Sequence, residues 1–356
     1  MRVRAERTKR SGWREERGKV DNDNEEKRRE AGDGREMTLE LSGRRRRDVF
    51  LSSLVSVASY SYVGLEDRSA LMATAAAAGI NDEKIRVLNN GVHFPSASFG
   101  LQVYGDDKAA ELTQLAIQTG FRNFFASVLA RNQRGFARGV AQSGIARSDI
   151  FVCGSVLSNS ARGFDSAYTL TKQGIADNIG ALGPDIDMLM LDYPGPTNDS
   201  IRGQWQAMEE WAADGSDSRK RSIAVSNFSP AQLDCLLDDK AATTIPPTVN
   251  QLPLYVGGRT SRAELDANRD RNVLVQAWSP LGGSSPRRTL SSEAKGMCEK
   301  IGAAYGKSWA QVALRFIVQS GATFTTQSKS ANHFRENLDI FDFELTEGEM
   351  MRLEAV

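Results

Sequence analysis

Histidine is almost missing from this chain. The 356 residues hold only His93 and His333, so a reaction that needs an imidazole acid or base must use one of two positions. Cysteine is scarce as well: Cys153, Cys235 and Cys298 are odd in number, far apart and outside any C-x-x-C spacing. That pattern excludes a disulfide framework and a zinc site, and buried free thiols are the expectation. Net charge is absent, because 45 basic and 45 acidic residues cancel. No overall field therefore draws the chain to nucleic acid or to an anionic membrane. The apolar runs fall short of the ~20 residues a stable membrane span requires, and no G-x-G-x-x-G follows an early strand, which disfavours an open dinucleotide-binding sheet.

What is present changes along the chain. Residues 1–47 are dense in Arg, Lys, Glu and Asp with almost no apolar periodicity, the composition of a disordered charged tail. Over 48–80, Arg44-Arg45-Arg46-Arg47 is followed by Asp48-Val49-Phe50-Leu51, a Ser-rich apolar stretch and Ala75-Ala76-Ala77-Ala78. This order of basic, apolar and small-residue segments reads as a targeting and cleavage segment of twin-arginine type. In a photosynthetic eukaryote it predicts the plastid or thylakoid lumen, in a bacterium the periplasm; a tail without a signal predicts the cytoplasm.

From residue 85 to 356 the texture is that of βα units. A hairpin comes first, with Asn89-Asn90-Gly91 at its turn, where positive φ is wanted. Eight short apolar strands follow, over 99–104, 123–128, 151–156, 188–193, 223–227, 248–252, 273–279 and 323–327. Helices lie between them, such as 108–119, 205–213 and 309–319, the first with Asp106-Asp107 as N-cap candidates and Gly120 as its stop. Eight alternations predict an α/β fold of the (β/α)8 barrel type, its bottom closed by the hairpin and its working face at the C-terminal strand ends.

Six collinear segments carry a resemblance: Trp205-Gln206-Ala207-Met208-Glu209, Ile223-Ala224-Val225-Ser226-Asn227-Phe228, Val249-Asn250-Gln251, Ala277-Trp278-Ser279-Pro280-Leu281-Gly282, Gly306-Lys307-Ser308 with Ala310-Gln311, and Glu336-Asn337 with Phe341-Asp342-Phe343. Over about three quarters of its length the chain resembles the aldo/keto reductases, NADP-dependent oxidoreductase barrels. The resemblance implies a nicotinamide carboxamide held by Ser226, Asn227 and Gln251, a ring stacked on Trp278, and further cofactor contacts from Ser279 and Leu281. Around the adenosine phosphate it implies Gln327, Ser328, His333, Glu336 and Asn337, where the family has P-K-S and an arginine. Gln327 stands for the lysine and His333 for the arginine, with Lys329 and Arg335 near in sequence. NADP(H) is the expected cofactor and NAD(H) an alternative, since a lost guanidinium fork weakens selection for phosphate.

The catalytic positions differ. The run from Gly120 to Ala130 aligns without a gap on the family segment that holds its aspartate and tyrosine, and puts Phe125 and Ala130 there. Ser155 stands where the lysine belongs and Asp192 where the histidine belongs. Losing a positioned acid costs ~10²- to 10⁴-fold, so ordinary reduction of a small carbonyl substrate is expected to be weak or absent, as in a pseudoenzyme. Two alternatives remain open: a rewired oxidoreductase using Asp192, Tyr104 or Tyr193 as acid, with Arg122 or Arg131 polarising an oxygen, and a structural barrel that binds no cofactor. Beside Phe125 and Tyr193, desolvation is expected to raise the Asp192 pKa.

Overall fold

In the computed structural model the described residues are 83–101, 103–214, 220–238, 243–258, 260–283 and 290–356. The tail and targeting segment expected over 1–47 and 48–80 lie outside them. Two short strands, β1 (Ile85–Val87) and β2 (His93–Pro95), form the antiparallel hairpin. Eight strands then close a barrel: β3 (Ala97–Gly100), β4 (Asn123–Ala126), β5 (Phe151–Val156), β6 (Met188–Asp192), β7 (Ser222–Ser226), β8 (Val249–Pro253), β9 (Leu274–Trp278) and β10 (Thr323–Thr326). Each pairs in parallel with its neighbours, and β10 pairs with β3.

The expected strands agree closely except at the first, which begins at Ala97 rather than Phe99. Ser96 and Ser98 break the apolar run there while being fully buried, so hydropathy hides the start of the strand. The helix α1 (Asp106–Thr119) takes Gly105 as its N-cap, not Asp106 or Asp107; both aspartates sit in its first turn, where they complement the helix dipole. Gly120 ends it with φ 111°, a left-handed backbone that glycine adopts without strain.

The hairpin seals the N-terminal end of the barrel. Leu88 and Phe94 pack with Phe151, Cys153, Met188, Met190, Ala224 and Val249 in one buried cluster, and the Phe94 and Phe151 rings meet edge to face at 5.1 Å. Asn89 Nδ2 donates to the Pro247 and Asn272 carbonyls, and Asn90 Nδ2 to Ser222 Oγ at 3.0 Å, tying the turn to the beginnings of β7, β8 and β9. Each large apolar side chain so buried contributes about 1.5–3 kcal/mol.

Motif residues far from the barrel mouth have structural work. Gly306, at φ 66°, ends the helix Ser292–Tyr305, and Ser308 forms a capping box with Gln311 at the start of Trp309–Gln319. Lys307 Nζ, mostly buried, bridges Asp339 at 2.9 Å and Asp342 at 2.7 Å. The G-K-S and F-D-F segments are thus clamped together.

Candidate active site

At the C-terminal mouth, three non-glycine residues take left-handed backbone immediately after barrel strands: Tyr193 at φ 70°, Asn227 at φ 61° and Ser279 at φ 51°. Such conformations cost on the order of 1 kcal/mol each and gather at functional sites. Each follows the last inward residue of its strand: Asp192, Ser226 and Trp278. The turn out of the barrel begins there, so those three side chains stay aimed at the interior.

On one side the polar groups form a directed chain. Trp278 Nε1 donates to Asn227 Oδ1 at 3.2 Å, and Asn227 Nδ2 donates to Ser226 Oγ at 2.7 Å. Gln251 Nε2 donates to Gln276 Oε1 at 2.7 Å, which leaves Gln251 Oε1 as an acceptor. Beside them a cavity of about 370 Å³ is lined by Gly100, Phe125, Gln251, Trp278, Ser279 to Gly283, and Thr325 to Gln327. Thr325 Oγ1 is buried on that wall without a partner, and a Cβ at Gly100 would lie 2.7 Å from it. The room is kept by the missing side chain. A second hydrogen on Asn227 Nδ2, the Gln251 oxygen and the Thr325 hydroxyl suit an amide-bearing ligand, which needs donors and acceptors at close range.

The other side is built differently. Phe125, half-buried, faces the same cavity, while Ala130 is buried at the end of a 3-10 turn over Val128–Ala130. Ser155 Oγ accepts from the Val128 N–H at 3.0 Å. Asp192, 5% exposed, stands in register with Ser226. Burial pushes its carboxyl pKa up to about 6, against smaller opposing effects of hydrogen bonding with the Ser226 and Ser155 hydroxyls. Because both serine oxygens already accept an N–H, their own protons are free to face the carboxylate.

The sequence-derived residues therefore fall into groups. Ser226, Asn227, Gln251, Trp278, Ser279, Leu281 and Gln327 gather around or beside the cavity. Ser328 pairs with His333, Oγ to Nδ1 at 3.2 Å, and His333 lies in the first turn of the helix Ala331–Leu338. Glu336 and Asn337 lie on that helix, the second buried, and none of these four lines the cavity. Tyr104 has Lys329 Nζ over its ring face, 5.2 Å from the centroid, also away from the cavity lining. Arg122 is not at the mouth: it precedes β4, and its guanidinium donates to the Ile117 and Phe121 carbonyls. Residues the motif comparison passed over are Gln276, Thr325 and Gly100. Counting by twos back from Trp278 along β9 would have found Gln276; a buried unpartnered hydroxyl has no such signal. Among the described residues no cluster of His, Cys, Asp and Glu could hold a metal ion, and no helix is long and apolar enough to cross a membrane.

Comparison with known proteins gives this geometry a family. The model of the aldo/keto reductase family matches residues 63–356. The chain is 31% identical over 272 residues to a glyoxal reductase of Bacillus subtilis, covering 76% of this chain and 91% of that protein. It is 30% identical over 280 residues to a morphine 6-dehydrogenase of Pseudomonas putida, covering 76% and 90%. Among solved structures, an aldo/keto reductase from Brucella melitensis superposes with a TM-score of 0.66 at 27% identity over 76% of this chain and 98% of that one. An aldo-keto reductase of Bombyx mori in complex with NADP shares the fold, with a TM-score of 0.67 at 21% identity over 76% and 92%. On the family match over the barrel and the identity to these relatives, the chain belongs to the aldo/keto reductase family.

Proposed function

We propose that this protein binds a nicotinamide dinucleotide, NADP(H) or NAD(H), at the Ser226–Asn227–Gln251–Trp278 side of the barrel mouth and does not reduce ordinary aldehydes or ketones. When bound, the dinucleotide supplies hydride chemistry. This chain's own part is to hold and orient it: Gln251 and Asn227 address the carboxamide, Trp278 offers a stacking face, and Ser279, Leu281 and Gln327 flank the adjoining groove. The observation that carries the reading is the pair of opposite fates within one mouth. Neutral amide and indole groups suited to a carboxamide stand together on one side, whereas the positions where the resemblance implies a tyrosine donor and its supporting aspartate and lysine hold a methyl group, a phenyl ring and a hydroxyl, at Ala130, Phe125 and Ser155. An alkoxide formed there would also face the Asp192 carboxylate.

The test is a thermal titration with NADPH, NADP and NADH, followed by an assay of NADPH oxidation against a panel of aldehydes and ketones. A rise in melting temperature with cofactor and no turnover is the expected result. An unmoved melting temperature with millimolar cofactor would instead identify a barrel that binds none, and brisk aldehyde reduction would overturn the loss of the proton donor. A rewired reductase is favoured by the buried carboxyl of Asp192 at the end of β6, whose pKa burial pushes up to about 6. In that case carbonyl reduction grows as pH falls through that value and vanishes in Asp192→Asn.

A further inference from the structure

Four loops following consecutive strands each expose a large apolar side chain at the mouth: Val103 after β3, Leu129 after β4, Leu157 after β5 and Tyr193 after β6, the last 38% exposed. Single exposed apolar residues need no explanation, but four of them following four consecutive strands on the same end of the barrel offer apolar surface to an organic ligand there. Just below Tyr193, the inward end of β6 carries Asp192. Among the described residues no lysine, arginine or histidine forms an ion pair with it, and its neighbours on the flanking strands are Ser155 of β5 and Ser226 of β7. The buried Cys153 thiol, on β5, feels both Asp187 and Asp192, and burial above all pushes its pKa well above the ordinary value. A buried carboxylate with two hydroxyls and no cation is incompletely neutralised, and leaving such a charge unpaired is costly. Its missing partner is a positive charge.

We infer that the mouth of this barrel receives a planar organic cation, an iminium group in particular, with Asp192 as its counter-ion and the aromatic and aliphatic rim as its cover. Three features agree with that ligand and disagree with a neutral carbonyl. First, the aromatic side chains on this side of the mouth are Phe125 in the cavity wall and Tyr193 next to Asp192, and aromatic rings attract cations. Second, a carboxylate stabilises positive charge and opposes a developing oxyanion. Third, an iminium asks for no acid from the protein. With a reduced nicotinamide dinucleotide as reductant, hydride adds to the iminium carbon and the C=N electron pair moves onto nitrogen, giving a neutral amine. The positive charge ends on the oxidised dinucleotide, so charge and electrons balance without a proton. The absence of a donor at Ala130 is then no defect. Turnover of such a ligand rests on the dinucleotide reading proposed above; recognition of the cation does not.

The experiment separates the two. Protein free of dinucleotide is titrated calorimetrically at about pH 8, where the Asp192 carboxyl is ionised, with an N-methylated dihydroisoquinolinium salt and with a neutral bicyclic ketone of the same ring system. The cation is expected to bind at least about tenfold more tightly, and Asp192→Asn to erase that preference while Asp192→Glu keeps part of it. Circular dichroism and melting curves of both variants confirm folding. Equal affinity for cation and ketone, or a preference that survives in Asp192→Asn, overturns the inference. NADPH is then added: oxidation with the iminium salt and none with the ketone completes it, whereas cation binding without NADPH binding retires the dinucleotide reading alone. Oxidation with the ketone and none with the iminium overturns the proposed reaction.

Discussion

The two sides of the barrel mouth obey different chemistry. From β7 to β10 the inward groups are neutral amides, hydroxyls and an indole, joined by short hydrogen bonds and open to a cavity. From β3 to β6 they are a phenyl ring, a methyl group, a serine and a buried acid that, among the described residues, pairs with no cation. The scaffold beneath both sides is the same closed sheet. A barrel holds its strand ends in place whatever side chains they carry, so ligand holding and proton delivery separate along the sheet and each changes without dismantling the other.

The strongest way to break this contrast is to give the second side the four residues that the resemblance implies for the family. The fourfold variant Phe125→Asp, Ala130→Tyr, Ser155→Lys, Asp192→His is expected to raise kcat/KM for a small aldehyde by ~10²- to 10⁴-fold, measured as NADPH oxidation. Leaving out any one of the four should forfeit most of the gain. No gain with a folded, cofactor-binding variant would mean that the donor was not what the wild type lacks.

Asp192→Asn tests the buried acid alone. The folded pKa, about 6, exceeds the ordinary 3.8, so the native state binds the proton more tightly than the unfolded chain. The resulting stabilisation is full below the unfolded pKa and is lost as pH rises through the folded one. By that linkage Asp192→Asn gains about 3 kcal/mol over wild type at pH 7 to 8 and little below about pH 4. Denaturant melts of both proteins across that range give the difference directly; a constant offset would remove the desolvated carboxylate from the account.

Smaller effects belong to the first side. Trp278→Ala removes the stacking face and the donor to Asn227, and dinucleotide affinity should fall roughly tenfold, read from fluorescence or calorimetry. Gln327→Lys with His333→Arg should improve NADPH over NADH by several-fold to about tenfold, at low salt most of all. Equal gains for both cofactors would detach these two positions from the adenosine phosphate.

Much of this was legible beforehand because its signals are periodic. Strands of four to six residues rich in Phe, Val and Leu, separated by helices with apolar stripes, specify a barrel, and β5 and the helix Trp309–Gln319 agree with their expected limits to the residue. The first strand was displaced because Ser96 and Ser98 look like loop residues while facing a closed interior. In the site, motif residues led to Asn227 and Trp278. Contacts across the sheet, such as Gln251 to Gln276 or Ser155 and Ser226 to Asp192, depend on strand register, which no local pattern states. Arg122, expected to polarise an oxygen, instead precedes β4 and spends its guanidinium on the Ile117 and Phe121 carbonyls.

The plug of Leu88, Phe94 and Phe151 at the far end has a kinetic corollary. With that end stoppered, any ligand of the barrel interior would enter and leave on the same side, past the strand ends of the C-terminal mouth.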